Sequence, residues 1–537
     1  MTTTNHESVS AYIAPGVPLH TIAIRLNPQD NVAIAKRDIE PESRLIVGEE
    51  KDTGLPCMIT VRQRIPSGHK IALQAIPVGD PVRRYGQAIG FASETIDPGM
   101  HVHMHNVGVH DFDRDYAFGV DAKPVDYLPE DERREFMGYR RPDGRVGTRN
   151  YIAVISTVNC SAHVARGIAH HFTAERLADF PNVDGVIPII HGYGCSIPIG
   201  GTDYAFIQRA LAGIARHANV AAYVLVGLGC ENNQIKALVE NCRLEGVNGM
   251  LAGNAPQLVI QELGGIRKTI AAGIDTVGEM LPLVGAAQRV HVPISELCVA
   301  LQCGGSDSWS GVTANPVVGL VADEIVRSGG TVLLGETPEI YGAEHLLTRR
   351  VISQDIGSKL VRQIKWWEQH ARRMGMEINN NPSPGNKVGG LTTIHEKSLG
   401  AVAKAGCTPL IDVYDYAEPV STRGFNFMNT PGNDWTAIAG QVAGGCTLIL
   451  FTTGRGSVFG FKPSPVIKIA SNSTMYHHMV DDMDLNAGRV LEGETLCDVA
   501  NDLLDTTIAI ASGLPSKSEA QGLGESEFSP WHLGSTL

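Results

Sequence analysis

Short apolar runs alternate with turn-forming residues over positions 19–108. The runs are TIAIRL (21–26), NVAIAK (31–36), KIALQAI (70–76) and VHMHNV (102–107). Ser67-Gly68, Val78-Gly79 and Pro98-Gly99 stand between or beside them. Short strands at this spacing, with Gly and Pro in the turns, are typical of a small all-β domain. We therefore expect residues 19–108 to form such a domain.

Residues 109–136 have a different texture. They are rich in charge, contain Pro124 and Pro129, and offer few apolar positions for packing. Such composition favours a linker over a folded element.

From residue 137 onward, longer and continuous apolar runs appear. They are YIAVIST (151–157), GVIPII (185–190), AYVLVGL (222–228), LCVALQ (297–302), TVLLGE (331–336), PLIDVY (409–414), TLILFTT (447–453) and VIKIAS (466–471). Runs of this kind suit strands that are buried on both faces of a parallel sheet. Between two of them, Ile356, Leu360, Ile364 and Trp367 recur at helical spacing and predict a helix over 355–373. The alternation predicts one or two α/β domains after the linker.

Composition narrows the classes of protein that fit. The 537 residues carry 44 Lys and Arg against 57 Asp and Glu, a net charge of −13. This balance argues against nucleic acid or a membrane surface as a partner. No apolar run reaches the roughly 18 residues of a membrane span, and the first residues lack the pattern of an export signal. Ten cysteines are too few for a disulfide scaffold, so we expect a soluble cytoplasmic protein with free or ligating thiols.

Several of the long runs end in a Gly-flanked polar loop. These loops contain Cys195 in HGYGCS, Cys230 in GLGCEN, Cys303 in QCGGSDSWSG and Arg455 in TTGRGS, and Cys160 ends the first run in the same way. Ligands bind beyond the carboxyl ends of strands in open α/β sheets, and thiolates there can converge on iron or an iron–sulfur centre. Each cysteine can equally be a small buried side chain, and without a C-x-x-C spacing the pattern alone favours that interpretation.

A second cluster precedes the linker. His101, His103 and His105 alternate with Val102 and Met104, so on a strand the three imidazoles would share one face. Imidazole both ligates metals and transfers protons near neutral pH, while an exposed strand face also carries polar residues as a matter of course.

Three further stretches offer cations to an anionic, hydroxylated ligand. They are NPSPGNKVGG (381–390) with Lys387, the Gly-flanked Arg455, and SGHK (67–70) with His69 and Lys70. Fixed cations can bind a carboxylate even on an acidic protein, although each is also explained as a solvated charge. Neither a G-x-G-x-x-G nor a G-x-x-x-x-G-K-[ST] motif is present, so a nucleotide site is not predicted.

Taken together, these motifs resemble one known family, the altronate/galactarate dehydratases, which remove water from sugar acids. The matching stretches are DNVAIA (30–35), IPSGHKIAL (65–73), YGQAIG (85–90), HVHMHN (101–106), GYRRPDGRVGTRN (138–150), HGYGC (191–195), GLGCE (227–231), LQCGGSDSWSGVTANP (301–316), NNPSPGNKVGGLTTIHEKSLG (380–400) and FTTGRGS (451–457). Near the end, where the family form is DINAG, this chain has MDLNAG (483–488). The patterns ETPEIYGAEHLLTRR (336–350) and GESEFSPWHLG (524–534) look more like the altronate branch.

The resemblance implies a domain layout and a cofactor. We expect an N-terminal β-clip domain of the SAF type at 19–108, a linker at 109–136, a middle α/β domain at 137–290 that dimerises, and a Rossmann-like α/β domain with a mainly parallel sheet at 291–537. The resemblance also implies Fe²⁺, either mononuclear or in an iron–sulfur cluster, with Mn²⁺ as the substitute, and a homodimer. Some members have His where this chain has Asn27, so a proton-transfer role at that position is not carried over.

The implied reaction removes the C2 proton and the C3 hydroxyl of an aldonate and gives a 2-keto-3-deoxy acid. A cation on the substrate carboxylate stabilises the enolate, while a base faces C2 and an acid protonates the departing hydroxide. For proton transfer we expect His103, His105 and His69. We expect Cys195, Cys230 and Cys303 to hold the metal, and Lys70, Asp307, Asn315, Lys387 and Arg455 to bind the substrate.

Four alternatives remain open on the sequence. The substrate can be galactarate or another sugar acid in place of D-altronate. The enzyme can be a lyase that expels sulfite from sulfolactate. A non-catalytic sugar-acid-binding protein would have lost the polar residues of the Gly-rich loops, which are present here. A dehydrogenase lacks support because the dinucleotide fingerprint is missing.

Overall fold

The computed structural model describes residues 16–49, 56–110 and 114–533. Residues 1–15, on which the expected lack of an export signal rests, lie outside this range. The chain divides into two compact units. The N-terminal unit is Met1–Asp111 with Lys387–Glu396, and the C-terminal unit is Phe112–Asn386 with Lys397–Leu537.

The N-terminal unit consists of short strands, most of which pair antiparallel. In chain order its elements are β1 (Val17–Pro18), α1 (Leu19–Ile22), β2 (Ala23–Ile24), β3 (Val32–Ala35), β4 (Arg44–Glu49), β5 (Pro56–Thr60), β6 (Lys70–Ala72), β7 (Pro81–Arg84), β8 (Gln87–Ala92), β9 (His101–Val102) and β10 (Val107–Gly108). They form sheets of order β2-β3-β6-β9, β1-β4-β5 and β10-β8-β7. The pairs in these sheets are antiparallel, except that β1 pairs with β4 in parallel. β6 and β9 pair antiparallel, with Ile71 opposite His101 and Lys70 opposite Val102, so His69 lies just past the end of β9, on the side of His103.

The first half of the C-terminal unit contains a four-stranded parallel sheet. Its elements are β11 (Glu135–Arg140), β12 (Val146–Gly147), β13 (Tyr151–Ser156), α2 (Ala162–Ala169), β14 (Gly185–Ile189), α3 (Thr202–Ala215), β15 (Val220–Gly227), α4 (Ile235–Cys242), β16 (Gln257–Val259), α5 (Ile266–Gly285) and β17 (Val290–Pro293). The sheet order is β14-β13-β15-β16, while β11 pairs with β12 and β17. Every residue of β13 and β15 is buried, as the continuous apolar runs predict.

The second half contains a seven-stranded sheet in which every neighbouring pair is parallel. Its elements are β18 (Cys298–Cys303), α6 (Ala314–Arg327), β19 (Thr331–Leu334), α7 (Glu344–Thr348), α8 (Gln354–Arg373), α9 (Pro384–Val388), α10 (Ile394–Val402), β20 (Leu410–Tyr414), β21 (Gly424–Met428), α11 (Asp434–Ala443), β22 (Leu448–Thr453), β23 (Val466–Ala470), α12 (Ser473–His478), β24 (Leu485–Asn486), α13 (Leu496–Ala511) and α14 (Lys517–Ala520). The order is β20-β21-β19-β18-β22-β23-β24. The predicted fold class, a small all-β domain followed by α/β domains with a mainly parallel sheet, is confirmed.

One strand prediction is wrong. The run VHMHNV (102–107) is not one strand, because β9 ends at Val102 and a turn follows before β10. The reason is a local side chain: Asn106 accepts a hydrogen bond from the backbone N–H of His103 and donates one to the carbonyl of His101, both at 2.9 Å. A side chain that bonds the nearby backbone in this way favours a turn over a ladder.

The linker segment is irregular between residues 114 and 129 but is bonded to the C-terminal unit. Arg114 donates to Glu344 at 2.7 Å, and the Tyr116 hydroxyl donates to the same carboxylate oxygen at 2.7 Å. The backbone N–H of Gly119 donates to the carbonyl of Thr348 at 3.0 Å. Ion pairs and backbone bonds therefore hold a segment whose low apolar content predicts little packing. Among the described helices, none is long and apolar enough to cross a bilayer.

Candidate metal and substrate site

Three imidazoles of the N-terminal unit meet at one point. Nitrogen atoms of His69, His101 and His103 lie within 4.8 Å of one another, which suits the ligands of a single metal ion. Nδ1 of His69 lies 2.9 Å from Nε2 of His101, and Nε2 of His69 lies 3.2 Å from the carbonyl of Val388. This His triad contains two of the three residues that we predicted for proton transfer, together with His101.

The third predicted proton-transfer residue, His105, lies at the edge of the triad. Its ring centroid is 5.4 Å from that of His101, and its side chain is exposed. The turn closed by Asn106 is what brings His103 toward His69 and leaves His105 facing solvent. His105 is therefore close enough to serve a ligand held at the triad without being part of it.

The triad is electrically suited to a cation. Burial lowers the pKa of His69, lowers that of His101 to about 3, and lowers that of His103 to about 4. All three rings are therefore neutral near pH 7, and the neutral ring is the form that ligates metals. Nδ1 of His103 is buried without a hydrogen-bond partner.

Beside the triad, Lys70 belongs to a buried ion cluster. Its ammonium donates to both oxygens of Glu396 at 2.9 Å and to the carbonyl of Gly390 at 2.6 Å, and Arg84 donates to the same carboxylate. Lys70, Arg84 and Glu396 are all almost fully buried. Burial lowers the pKa of Lys70 to about 8. These partners bond the ammonium group that we predict to bind substrate, and they hold the first residue of strand β6 in place.

The C-terminal unit contains a second cluster of side chains that could ligate a metal or transfer protons, at the ends of β18 and β19. Cys303, Glu336 and Glu339 have ligand atoms within 4.8 Å of one another, and all three are buried. Lys404 lies 2.9 Å from the Cys303 sulfur, and Lys397 donates to Glu339 at 2.6 Å. Burial raises the pKa of the Cys303 thiol, and Lys397 already neutralises Glu339, so the internal contacts of this cluster compete with a metal.

Within this Cys303 cluster the two glutamates have opposite tendencies. Burial and the nearby Glu339 charge raise the pKa of Glu336, whose carboxylate oxygens have no hydrogen-bond partner. Burial also disfavours ionised Glu339, but Lys397 and Asn381 outweigh it and lower the pKa of that group. Carboxyl groups whose pKa values are pushed apart are able to act as an acid and a base.

The structure does not bring Cys195, Cys230 and Cys303 within ligand distance of one ion. Cys195 and Cys230 are exposed on loops after β14 and β15. Cys303 is buried in the other sheet, where its sulfur contacts Lys404 and Glu339. Each of the three cysteines does lie at the end of a strand, but β14 and β15 belong to the four-stranded sheet and β18 belongs to the seven-stranded sheet.

Two of the predicted substrate residues are engaged internally. The Asp307 carboxylate accepts hydrogen bonds from Ser310, Ser471 and Asn472. The Asn315 amide donates to Gly400 at 2.9 Å and accepts from Thr452 at 2.7 Å. Both side chains hold loops together at the carboxyl edge of the seven-stranded sheet.

The remaining two predicted cations are more open. Arg455 is exposed, and its backbone N–H donates to the carbonyl of Gly305 at 2.8 Å. Lys387 is half-buried in α9, and the boundary between the two units falls inside this helix, so that Lys387 belongs to the N-terminal unit. Their positions leave both side chains free to serve as anion-binding groups.

Sequence reasoning missed several residues of these clusters. Glu336 directly follows the run TVLLG and Glu339 comes three residues later, so the signal that drew attention to the cysteines was also present for them. Glu396, Lys397 and Lys404 gave no such signal, because they lie in a helix-like stretch where charges are ordinary.

Comparison with known proteins covers almost the whole chain. A model described as "Altronate/galactarate dehydratase SAF domain" matches residues 21–110. A second, "D-galactarate dehydratase/Altronate hydrolase, second domain", matches 138–285. A third, "D-galactarate/Altronate dehydratase, C-terminal", matches 294–536.

Individual relatives agree with the models. The chain is 35% identical to altronate dehydratase of Bacillus subtilis over 494 residues, which is 91% of this chain and 95% of the relative. It is 35% identical to altronate dehydratase of Escherichia coli over 94% of this chain and 97% of the relative. It is also 34% identical to galactarate dehydratase (L-threo-forming) of Escherichia coli, over 91% of this chain and 92% of the relative. With matches along both compact units, the chain belongs to the altronate/galactarate dehydratase family of hydro-lyases.

Proposed function

We propose that this enzyme dehydrates D-altronate to the 2-keto-3-deoxy acid. The observation that carries the proposal is the match to altronate dehydratases over more than nine-tenths of the chain. Galactarate is the second candidate substrate, because a galactarate dehydratase is almost equally similar.

We further propose that Fe²⁺ binds at the His triad. The fit rests on three neutral imidazoles and on the buried, unpartnered Nδ1 of His103. Imidazole nitrogen suits Fe²⁺, whereas Mn²⁺ favours oxygen ligands, so Fe²⁺ is the better match. When bound, the ion supplies the Lewis-acid charge that stabilises an enolate beside the substrate carboxylate.

The chain's own residues divide the remaining work. His105 lies beside the triad and is exposed, so it is the residue that we assign to proton transfer with the sugar acid. Glu396 bonds Lys70, the first residue of β6, and thereby fixes the strand directly after His69. The carbonyl of Val388 orients the His69 ring, in the manner of the outer partners that orient metal-bound imidazoles.

The direct test compares His101→Ala with His20→Ala. His20 is an exposed histidine of the same unit outside the triad. After anaerobic loading with Fe²⁺, we expect His101→Ala to lose triad iron and at least about tenfold in kcat, since loss of even an outer partner of a metal ligand costs about that much. His20→Ala should match the unmodified enzyme in both measurements. Equal iron and equal rate in the two variants would contradict the metal assignment.

A substrate panel tests the reaction. D-altronate, galactarate and sulfolactate are incubated with the reduced, iron-loaded enzyme, and 2-keto acid and sulfite are measured. We expect keto acid from altronate at the highest kcat/KM. Sulfite from sulfolactate would instead favour the sulfo-lyase alternative, binding without turnover would favour a sugar-acid-binding protein, and NAD(P)-dependent absorbance change would favour a dehydrogenase.

We also propose a cytoplasmic homodimer, as the family resemblance implies. All ten cysteines are free thiols, which suits a reducing compartment. Light scattering on the reduced protein should give twice the mass of one chain.

A further inference from the structure

Three exposed cysteines lie on neighbouring loops of the four-stranded sheet. Cys160 follows β13, Cys195 follows β14 and Cys230 follows β15, and β13 lies between the other two strands. Because these strands are parallel, their carboxyl ends meet at the same edge of the sheet. The third cysteine beside Cys195 and Cys230 is therefore Cys160, and not Cys303 as the sequence pattern predicts.

Hydrogen bonds join the three loops to one another. The backbone N–H of Asn159 donates to the carbonyl of Tyr193 at 2.8 Å, and that of Asn232 donates to the carbonyl of Cys195 at 3.1 Å. The Asn233 amide donates to the carbonyl of Thr157 at 2.9 Å. Each cysteine is therefore within two residues of a bond that ties its loop to a neighbour.

Glycine and a buried carboxylate tighten this arrangement. Gly194 has a φ of +102°, and a Cβ there would lie 2.4 Å from the carbonyl oxygen of Thr157. Buried Glu231 accepts from the Thr157 hydroxyl at 2.9 Å and from the N–H of Gly229 at 2.6 Å. Close backbone approach and a shared anion give the loops a fixed geometry before any ligand binds.

The position of these thiols distinguishes them from the other cysteines. Six of the ten cysteines are exposed, and Cys160, Cys195 and Cys230 are the three of these that lie at the carboxyl edge of one sheet. Free cysteine is more often buried in proteins, so three exposed thiols at one sheet edge favour a ligand there. The Cys230 sulfur also accepts a hydrogen bond from the Gln261 amide at 3.4 Å, and hydrogen bonds to the sulfurs are among the contacts that tune an iron–sulfur cluster.

The spacing favours a cluster over a single ion. The three sulfurs do not form a group with all ligand atoms within 4.8 Å of one another, which one ion would need. In an iron–sulfur cluster each thiolate binds a different iron, so the thiolates stand further apart. Helices α2, α3 and α4 also begin beyond these same strands, and helix N-termini favour an anionic group.

We propose that Cys160, Cys195 and Cys230 bind a four-iron iron–sulfur cluster. Three thiolates leave the fourth iron open to an oxygen ligand, such as water or the hydroxyl of a hydroxy acid. This cluster belongs to the C-terminal unit, whereas the His triad belongs to the N-terminal unit. The proposal goes beyond the dehydratase assignment and does not require it.

The test uses the full chain, purified without oxygen and reconstituted with Fe²⁺ and sulfide. We expect about four acid-labile sulfides per chain and the visible absorbance of sulfide-to-iron charge transfer. Cys160→Ala, Cys195→Ala and Cys230→Ala should each lose at least about three-quarters of the sulfide, with unchanged circular dichroism. Cys497→Ala, at an exposed cysteine in α13, is the matched control and should keep the full amount.

Two results would overturn the cluster. One is a reconstituted wild-type chain with iron but without acid-labile sulfide. The other is equal sulfide in the three loop variants and in Cys497→Ala. His101→Ala separates this question from the proposed function, because it should keep its sulfide while losing triad iron. Altronate turnover by a chain that binds no sulfide would remove the cluster and leave the dehydratase proposal standing.

Discussion

Glu396 is the central anion of the ion cluster in the N-terminal unit. Burial alone would raise the pKa of its carboxyl group, but the charges of Lys70 and Arg84 and the bonds from Thr392 outweigh burial and lower this pKa to about 2. A buried pair contributes little over an apolar pair of the same size, yet removing one partner leaves an uncompensated charge.

We therefore predict a large effect for Glu396→Gln. The free energy of unfolding should fall by about 3–5 kcal/mol, because Lys70 and Arg84 remain buried without their anion. Arg64→Gln breaks the exposed pair with Asp38 in the same unit and should lower the free energy of unfolding far less, because solvent screens that pair. Urea unfolding measures both, and equal costs would contradict the ranking.

The Cys303 cluster leads to a pH prediction at Asp434. Burial and the Glu339 charge raise the pKa of Asp434 to about 7, while Lys397 and Lys404 oppose that rise. The folded state then holds a proton that the unfolded state has lost, so this group destabilises the fold as pH rises from about 4 to about 7 and keeps its full penalty above that.

Asp434→Asn should remove this pH dependence. Between about pH 5.5 and pH 8, wild-type stability should fall by about 2 kcal/mol relative to the variant. Denaturant unfolding at the two pH values measures the difference. A constant offset between the proteins at both pH values would show that Asp434 ionises normally.

Residue identity predicts which side chains carry chemistry, but not which internal partners they have. His69 and His103 meet in the triad, while their predicted role in proton transfer stays a prediction. Lys70, Asp307 and Asn315 stay predicted substrate residues, and in the structure each is bonded to partners distant in the chain, such as Glu396 for Lys70 and Ser471 for Asp307. A sequence displays donors and charges, whereas the partner that occupies them is set by the tertiary fold.

At the scale of elements, the loop after β14 depends on one glycine. Gly194→Ala places a Cβ against Thr157 and strains a positive φ, so it should cost about 1–3 kcal/mol. Gly192→Ala, where a Cβ has open space, should stay within about 0.5 kcal/mol of wild type. Thermal unfolding compares the two, and matching transition temperatures would mean that the loop shifts at little cost.

Elements with strong patterns were predictable. The run YIAVIST became β13, LCVALQ became β18, and the helical spacing over 355–373 became α8 (Gln354–Arg373). Long buried runs leave few alternatives, because both faces must be covered by other elements. The strand predicted for VHMHNV does not form, because the Asn106 side chain bonds the nearby backbone and closes a turn. The alternation of apolar and polar residues carries no information about such a bond.

At the scale of the whole molecule, the N-terminal unit is built from two separate stretches of the sequence. Residues 387–396 supply the carbonyls of Val388 and Gly390 and the carboxylate of Glu396 to a unit that otherwise ends at Asp111. A boundary read along the sequence at 108 misses this contribution, because the segment comes almost 300 residues later.

A fragment experiment tests that dependence. A fragment of residues 16–110 should be less stable than the same unit in the full chain, and a peptide of residues 384–400 should raise its transition temperature. The same peptide with Glu396→Gln should raise it much less, because Lys70 and Arg84 lack their anion. A fragment whose stability is unaffected by either peptide would show that the unit is complete without the late segment.

The position of residues 387–396 in the chain also determines when the N-terminal unit can complete its folding during synthesis. Arg84 and Glu396 are 312 residues apart in the chain. At about 5–20 residues per second, a ribosome needs roughly 15–60 s to add that length. During this interval the nascent domain has two cations whose counter-charge has not been translated. The strands of this unit are therefore synthesised well before the unit can complete its folding. Folding is completed only after Glu396 has left the exit tunnel of the ribosome.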